Sequence, residues 1–342
     1  MKTYLLPEKG NFYKANLHCH SVISDGKLTP EELKEHYMAH GYSIVAYTDH
    51  TVFLPHNDLR DEHFLPLNGY ELNFSQERAD GKSSKVCHVC FIALDEHKTV
   101  QRIFYNSRHL EKNLQSACLD ESRDYLCREY SPEFISNIIA EGVREGFFVT
   151  YNHPVWSLET KDEYCHYHGM HAMEIVNYGC VVEGYDEHNG NIYDQMLRGG
   201  EKLYCIATDD NHNRYPFDHP RCDSFGGFTM IKAEKLEYGE IANALVDGHF
   251  YASEGPEIKG LYFEDNRIFI ETSDAVKIVM TTENRRYRVV TADQRGLTVN
   301  RADFEITTAL GDYVRFTVID KNGKQAYTNA YFLSDLPLKN EV

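Results

Sequence analysis

Over the first 250 residues, short apolar runs alternate with stretches in which apolar residues recur every three or four positions. Ala15-Asn16-Leu17 reads as a short strand ending in polar residues. Thr29-Pro30-Glu31-Glu32 then opens a helix. Thr29 suits the N-cap, Pro30 the first helical position, and Glu32 closes a capping box. That helix stops near Gly41, and residues 43–47 (SIVAY) form the next strand. Ser131-Pro132-Glu133 opens a second helix, followed by a strand at 147–150 (FFVT). Residues 172–176 and 203–207 read as further strands, and a last helix covers Tyr238–Val246. This rhythm predicts an α/β architecture with a mainly parallel sheet or barrel.

From about residue 250 the period changes. YFEDNRIFIET, VKIVMTT, YRVVTAD, DFEITTAL and DYVRFTVIDKNGKQAYTNAYFL are alternating or β-branched runs. Turn signals at Glu264-Asp265-Asn266, Gly311-Asp312 and Lys321-Asn322-Gly323 separate them. That pattern predicts a small all-β sandwich-like domain. The joint is expected near Ser253-Glu254-Gly255-Pro256, giving domains 1–255 and 256–342. The second is expected to pack on the first or to join copies as a homo-oligomer. The polar segment from about 95 to 130 reads either as a lid over a site or as a surface connection.

Composition narrows the function. The formal net charge of −18 disfavours duplex DNA, whose backbone must be met by clustered Lys and Arg. No run is apolar enough to span a membrane, and the N-terminus lacks the apolar core of a signal peptide. The chain therefore reads as cytoplasmic. Nine scattered cysteines do not make a disulfide framework. Cys87 and Cys90 form a lone CxxC, read as part of a buried strand, VCHVCFIAL. Motifs of the common NTPases, dehydrogenases, zincins and α/β-hydrolases are missing.

What the chain does carry is a recurring pairing of apolar runs with metal-ligand residue types. His18-Cys19-His20 places two imidazoles on one face of an extended segment, with Asp25 in the turn that follows. Asp49-His50 follows SIVAY, Glu71 lies in Gly69-Tyr70-Glu71, and His88 heads an apolar strand. Asn152-His153-Pro154 follows FFVT, and Asp209-Asp210-Asn211-His212 follows a run through LYCIA. In barrels of parallel strands, functional groups collect at such strand ends.

HCHSVISDG, YTDH, GYE, the isolated His88, NHP and DDNH, in this order, resemble the PHP (polymerase and histidinol phosphatase) domain. The resemblance spans roughly residues 12–250. It looks nearest to stand-alone phosphoesterases acting on nucleotides and short oligonucleotides, a subgroup of which carries a C-terminal β-domain. It implies a distorted seven-stranded β/α barrel with two or three divalent metal ions. One ion would take His18, His20, Glu71 and Asp210, a second Asp25, His50 and His212, and a third His88 and His153 with Glu71 bridging. Asp49 is expected to orient a ligand histidine.

Mixed imidazole and carboxylate ligation suits Zn, Mn or Fe. Such ions can hold a hydroxide at neutral pH and neutralise the charge of in-line displacement at phosphorus. His168, His171 and His219 are the candidate general acids, and Arg214 and Arg221 the candidate phosphate binders, with Arg123 and Arg128 as further options. Tyr151 and Trp156 flank NHP and can pack in the core or stack on a base. The expected activity is hydrolysis of a small phosphorylated substrate, a nucleotide or short oligonucleotide. The alternatives are an amidohydrolase-type enzyme using the same metals, and a binding protein acting through the β-domain.

Overall fold

In the computed structural model, residues 2–77, 80 and 84–339 are described. The first part runs β1 (Thr3–Tyr4), β2 (Asn11–Asn16), α1 (Pro30–Ala39), β3 (Ile44–Tyr47), β4 (Leu65–Ser75), β5 (Val86–Ala93), β6 (Val100–Gln101), α2 (Arg108–Asn113) and β7 (Cys118–Leu119). It continues with α3 (Pro132–Arg144), β8 (Phe147–Asn152), α4 (Lys161–Tyr164), β9 (Ala172–Asn177), α5 (Tyr178–Glu183), α6 (Gly190–Arg198), β10 (Tyr204–Thr208), β11 (Phe228–Ala233), α7 (Tyr238–Val246) and β12 (Phe250–Ser253). Strands follow to the end: β13 (Ile258–Glu264), β14 (Arg267–Ala275), β15 (Lys277–Thr282), β16 (Arg288–Val290), β17 (Val299–Glu305), β18 (Tyr313–Ile319), β19 (Gln325–Thr328) and β20 (Tyr331–Phe332).

Local chemistry explains the helix starts. Thr29 accepts the Glu32 N–H and Glu32 accepts the Thr29 N–H, so two orphan donors of α1 are satisfied. Ser131 caps α3, whose Ile135, Ile138 and Ile139 are buried along one stripe.

The large sheet has the order β10-β9-β8-β5-β4-β3-β2-β11-β12 and continues into β19-β18-β15-β16. It is mixed, not mainly parallel. Pairs β2/β3, β3/β4, β8/β9 and β9/β10 are parallel, whereas β4/β5, β5/β8, β2/β11 and β11/β12 are antiparallel. The connection from β4 to β5 is too short for the helical crossover that a parallel pair requires, so the chain turns back as a hairpin. The sheet curls around one apolar core to which Ala15, Ile44, Leu67, Ile92, Phe148, Ala172, Ile206 and Ile231 all contribute. Where β10 meets β11, the Thr229 hydroxyl donates to the Ala207 carbonyl and accepts the Ala207 N–H.

The C-terminal strands form two facing layers. One is β1-β13-β14-β17, and the other is the β19-β18-β15-β16 extension of the large sheet. Leu261, Ile268, Ile270 and Phe304 of the first pack against Ile278, Met280, Phe316 and Val318 of the second. Asp265 and Asn266, with φ of 49° and 57°, make the tight turn between β13 and β14. The first residues of the chain join this layer: Leu5 and Leu6 both donate to the Leu261 carbonyl, and Leu6 is buried in its core. Among the described residues no helix is long and apolar enough to cross a membrane.

Candidate metal centre

Six strand ends and strand faces deliver the nine singled-out side chains to one place. His18 lies two residues beyond the end of β2, where Cys19 bridges to Asn211 and the His20 N–H donates to the Asn211 carbonyl. Next door, His50 bridges to Glu71 of β4, and β5 faces β8 with His88 opposite Asn152. The loop after β10 supplies Asp210 and His212. Backbone geometry is unusual at two of these positions: φ is 28° at His153 and 50° at Asp210. Non-glycine residues held in this region of backbone space cost stability and cluster at functional sites.

Asp25 is aimed by its turn. The Asp49 carboxylate accepts the N–H and hydroxyl of both Ser21 and Ser24, which ties down the segment between His20 and Asp25. Asp49 therefore shapes this loop and contacts no ligand-type histidine, contrary to the sequence expectation. A side chain at Gly26 would stand 2.3 Å from the His20 carbonyl, so only glycine lets the turn close.

The distances define a crowd of electron-pair donors. His18 Nε2 lies 3.1 Å from His20 Nε2, 3.2 Å from Glu71 Oε1 and 3.2 Å from Asp210 Oδ1. The Nε2 of His20 lies 3.0 Å from Asp210 Oδ1. On the outer side, His50 Nε2 and His212 Nε2 stand 3.7 and 3.4 Å from Asp25 Oδ1. Glu71 also reaches His50 Nδ1 at 2.8 Å and His88 Nδ1 at 2.9 Å. His153 Nε2 stands 3.5 Å from Glu71 and 3.7 Å from Asp210. Among the described residues, five overlapping groups can each hold a cation: His20-Asp25-His50-His212, His18-His20-Asp210, His50-Glu71-His88, His18-His153-Glu174 and His18-Glu71-Cys90.

Neighbouring charges pull the proton affinities of the cluster in opposite directions. Burial works against charge on His153, but contact with Glu71 and the nearby Asp210 outweigh it and raise the imidazole to about 9. Burial is likewise outweighed at His212, by Asp25 and Asp210, and its value is also about 9. Burial and the neighbouring His50 and His212 press His20 down to about 4. Glu71 is held well below the usual carboxylate range: burial opposes this, but His88, His18 and His50 prevail. Three buried atoms here, His20 Nδ1, Glu71 Oε2 and Asp210 Oδ1, make no hydrogen bond. A divalent cation satisfies such a donor set, and the residues fit one.

Of the doubled aspartates, Asp210 faces the cluster. Asp209 faces away and accepts the Phe225, Gly226 and Gly227 N–H groups and the Tyr37 hydroxyl. Burial pushes it up to about 6 despite these bonds.

The proposed proton donors are elsewhere. His171 precedes β9, whereas the cluster gathers at the other end of the strands, roughly 20 Å away for six residues of strand. Its ring stacks on Phe148 and accepts the Val149 N–H. His168 is exposed beyond it and pairs with Glu201. Neither can reach a substrate at the cluster. His219 stacks on Tyr215 at 4.6 Å and accepts the Arg221 N–H, and it does not line the cavity. Arg123 pairs with Glu141, and Arg128 covers the Tyr105 ring. Tyr151 is buried and bonds Glu159. Arg214, Arg221 and Trp156, in contrast, line a cavity of about 210 Å³ that opens from the cluster. Trp156 sits edge-on to His88 and His153, and Arg214 stands 3.6 Å from Asp25.

The 95–130 segment lies against this mouth. The Lys112 ammonium donates to the Val22 carbonyl, Asn113 donates to the Ile23 carbonyl, and the His109 ring is 5.9 Å from His50.

Sequence reasoning missed Glu174, in the middle of β9. Its carboxylate takes His18 Nδ1 at 2.7 Å, the Thr208 hydroxyl at 2.6 Å, the Asn177 amide and the His153 N–H. By accepting the Nδ1 proton of His18 it leaves the Nε2 lone pair facing the cluster. The signal was there: Glu174 is the one acid in the apolar run AMEIVN. Glu174→Gln is expected to keep the fold and weaken metal affinity about 10–100-fold. Competition titration with a chromophoric chelator measures this, and unchanged affinity would discard the role.

No family model matches the sequence, and no curated protein matches it. Solved structures do show similarity. One is a two-domain protein containing a predicted PHP-like metal-dependent phosphoesterase from Bacteroides vulgatus. It is 16% identical with a TM-score of 0.43, over 96% of this chain and 98% of that one. Another is an amidohydrolase from Chromobacterium violaceum with bound sulfate. It is 17% identical with a TM-score of 0.37, over 58% of this chain and 87% of that one.

Proposed function

We propose that this chain is a metal-dependent phosphoesterase of the PHP type, acting on a small phosphorylated substrate such as a nucleotide or short oligonucleotide. One observation carries the reading. The buried Nε2 atoms of His18 and His20 converge with carboxylate oxygens of Glu71 and Asp210 at 3.0–3.2 Å. Since Glu174 holds Nδ1 of His18, its Nε2 faces the carboxylates, and a divalent cation can take the place that a proton otherwise fills.

His18, His20, Glu71 and Asp210 would hold one ion, Asp25, His50 and His212 a second, and His88 and His153 a third with Glu71 shared. Zn, Mn or Fe suits these donors. When bound, such ions supply Lewis acidity toward phosphoryl oxygens and lower the pKa of water. The residues around them do the rest. Arg214 and Arg221 on the cavity wall present guanidinium forks to the remaining phosphate oxygens. Arg221 is steadied by the Tyr215 hydroxyl at 2.6 Å and by the ring beneath it. Trp156, with Cys180 and Val182, offers an apolar wall for the leaving group. Among the described residues the cavity wall has no lysine, so the carbamylated lysine common in amidohydrolases has no counterpart there.

The test is a hydrolysis screen of nucleoside mono- and bisphosphates, sugar phosphates, histidinol phosphate and short oligonucleotides, with Mn and Zn supplied in parallel. Phosphate release that chelation abolishes is the expected result. Hydrolysis of amides or lactones with no phosphate release from any ester would overturn the reading. On the best substrate, Arg221→Ala is expected to raise KM about 10–100-fold, matching the loss of one charged hydrogen bond. An unchanged KM would remove Arg221 from the site.

A further inference from the structure

The strand β5 brings one more donor to the centre. Residues two apart on a strand face the same way. Cys90 therefore shares the inner face with His88, while Cys87 turns into the apolar core with Phe74 and Val89. Cys90 is fully buried. Its sulfur, a ring nitrogen of His18 and a carboxylate oxygen of Glu71 all lie within 4.8 Å of one another. Ligand atoms around a tetrahedral zinc, at about 2.3 Å for sulfur and 2.0–2.1 Å for nitrogen or oxygen, stand roughly 3.3–3.7 Å apart. Small side-chain adjustments bridge that difference.

One further contact points the same way. The Asn152 amide donates both to Cys90 Sγ at 2.9 Å and to Glu71 Oε1 at 3.4 Å, so it faces the sulfur as it faces the carboxylate.

We propose that Cys90 is a thiolate ligand of the ion held by His18 and Glu71. The proposal rests on the metal-centre reading above and extends it to the choice of metal. On binding, the S–H bond breaks, a metal–sulfur bond forms, and the thiol proton leaves to solvent. No change of oxidation state is involved. A soft sulfur donor selects zinc or iron over manganese at this position.

The experiment uses the full chain loaded with Co(II). Wild-type protein is expected to show a thiolate-to-cobalt charge-transfer band in the near ultraviolet, absent from Cys90→Ser and Cys90→Ala. In competition, Cys90→Ser is expected to lose preference for zinc over manganese by about 10–100-fold. If the variants fail to fold, the zinc absorption edge of wild-type protein decides, through a sulfur scatterer at about 2.3 Å. Full cobalt loading without the band, or a band that persists in Cys90→Ala, overturns the proposal while leaving the metal centre intact. A chain that takes up no cobalt overturns the centre and this ligand together. None of these readouts requires hydrolysis, so a wrong substrate class cannot mimic either result.

Discussion

Glu71→Gln is expected to give a folded protein that has lost at least one metal ion per chain and on the order of 10³-fold in kcat/KM, about 4 kcal/mol of transition-state stabilisation. The reason is geometric. Glu71 is fully buried, and its two oxygens lie within 3.6 Å of ring nitrogens from His18, His20, His50, His88 and His153. Among the described residues no other side chain touches so many of the cluster. Glutamine keeps the shape, removes the charge and turns an amide toward groups that need an acceptor. Elemental analysis and steady-state kinetics on the same sample check both halves. Wild-type metal content with activity within threefold would show that Glu71 is not shared between ions.

Asp194→Ala is expected to destabilise the protein by about 3–5 kcal/mol, lowering Tm by on the order of 10 °C. Arg315 on β18 grips Asp194 on α6 with two bonds of 2.8 Å, and the Tyr313 hydroxyl adds a third contact at 3.1 Å. Both partners are nearly buried, at 5% and 7% exposure. Losing the carboxylate leaves a guanidinium without water or counter-charge, and that unpaired charge dominates the cost. The double variant Asp194→Leu with Arg315→Met should recover most of the loss, because it removes both charges and keeps the volume. Thermal and denaturant unfolding measure the series. A single variant within about 1 kcal/mol of wild type would show that this pair is not what fastens the C-terminal strands to α6.

Much of the site was readable because its signals are local. The motifs HCHSVISDG, YTDH, NHP and DDNH each keep their ligand-type residues within a few positions of a strand end, while GYE sets Glu71 on the face of β4. A strand end fixes direction over that range. Glu174 and Cys90 were harder to see. Each sits alone within an apolar strand, where an isolated polar residue says only that something must satisfy it. Which partner does so depends on strand order: β9 and β5 are not neighbours, yet both face His18. His168 and His171 failed for the same reason in reverse. They are near the motifs in sequence, but a strand of six residues carries them to the opposite end of the sheet.

The sequence by itself determined the helix starts at Thr29 and Ser131, the positions of most strands and the change to an all-β pattern near residue 250. These follow from contacts one to four residues apart, in capping bonds, periodicity and turns. Only the tertiary structure decided that β4, β5 and β8 run antiparallel and that Leu5 and Leu6 belong with the C-terminal strands. It also decided that Asp210 faces the cluster while Asp209 clamps a loop. Those outcomes turn on pairings between residues tens or hundreds of positions apart, where register and burial of the whole sheet, not local preference, set which face each side chain takes.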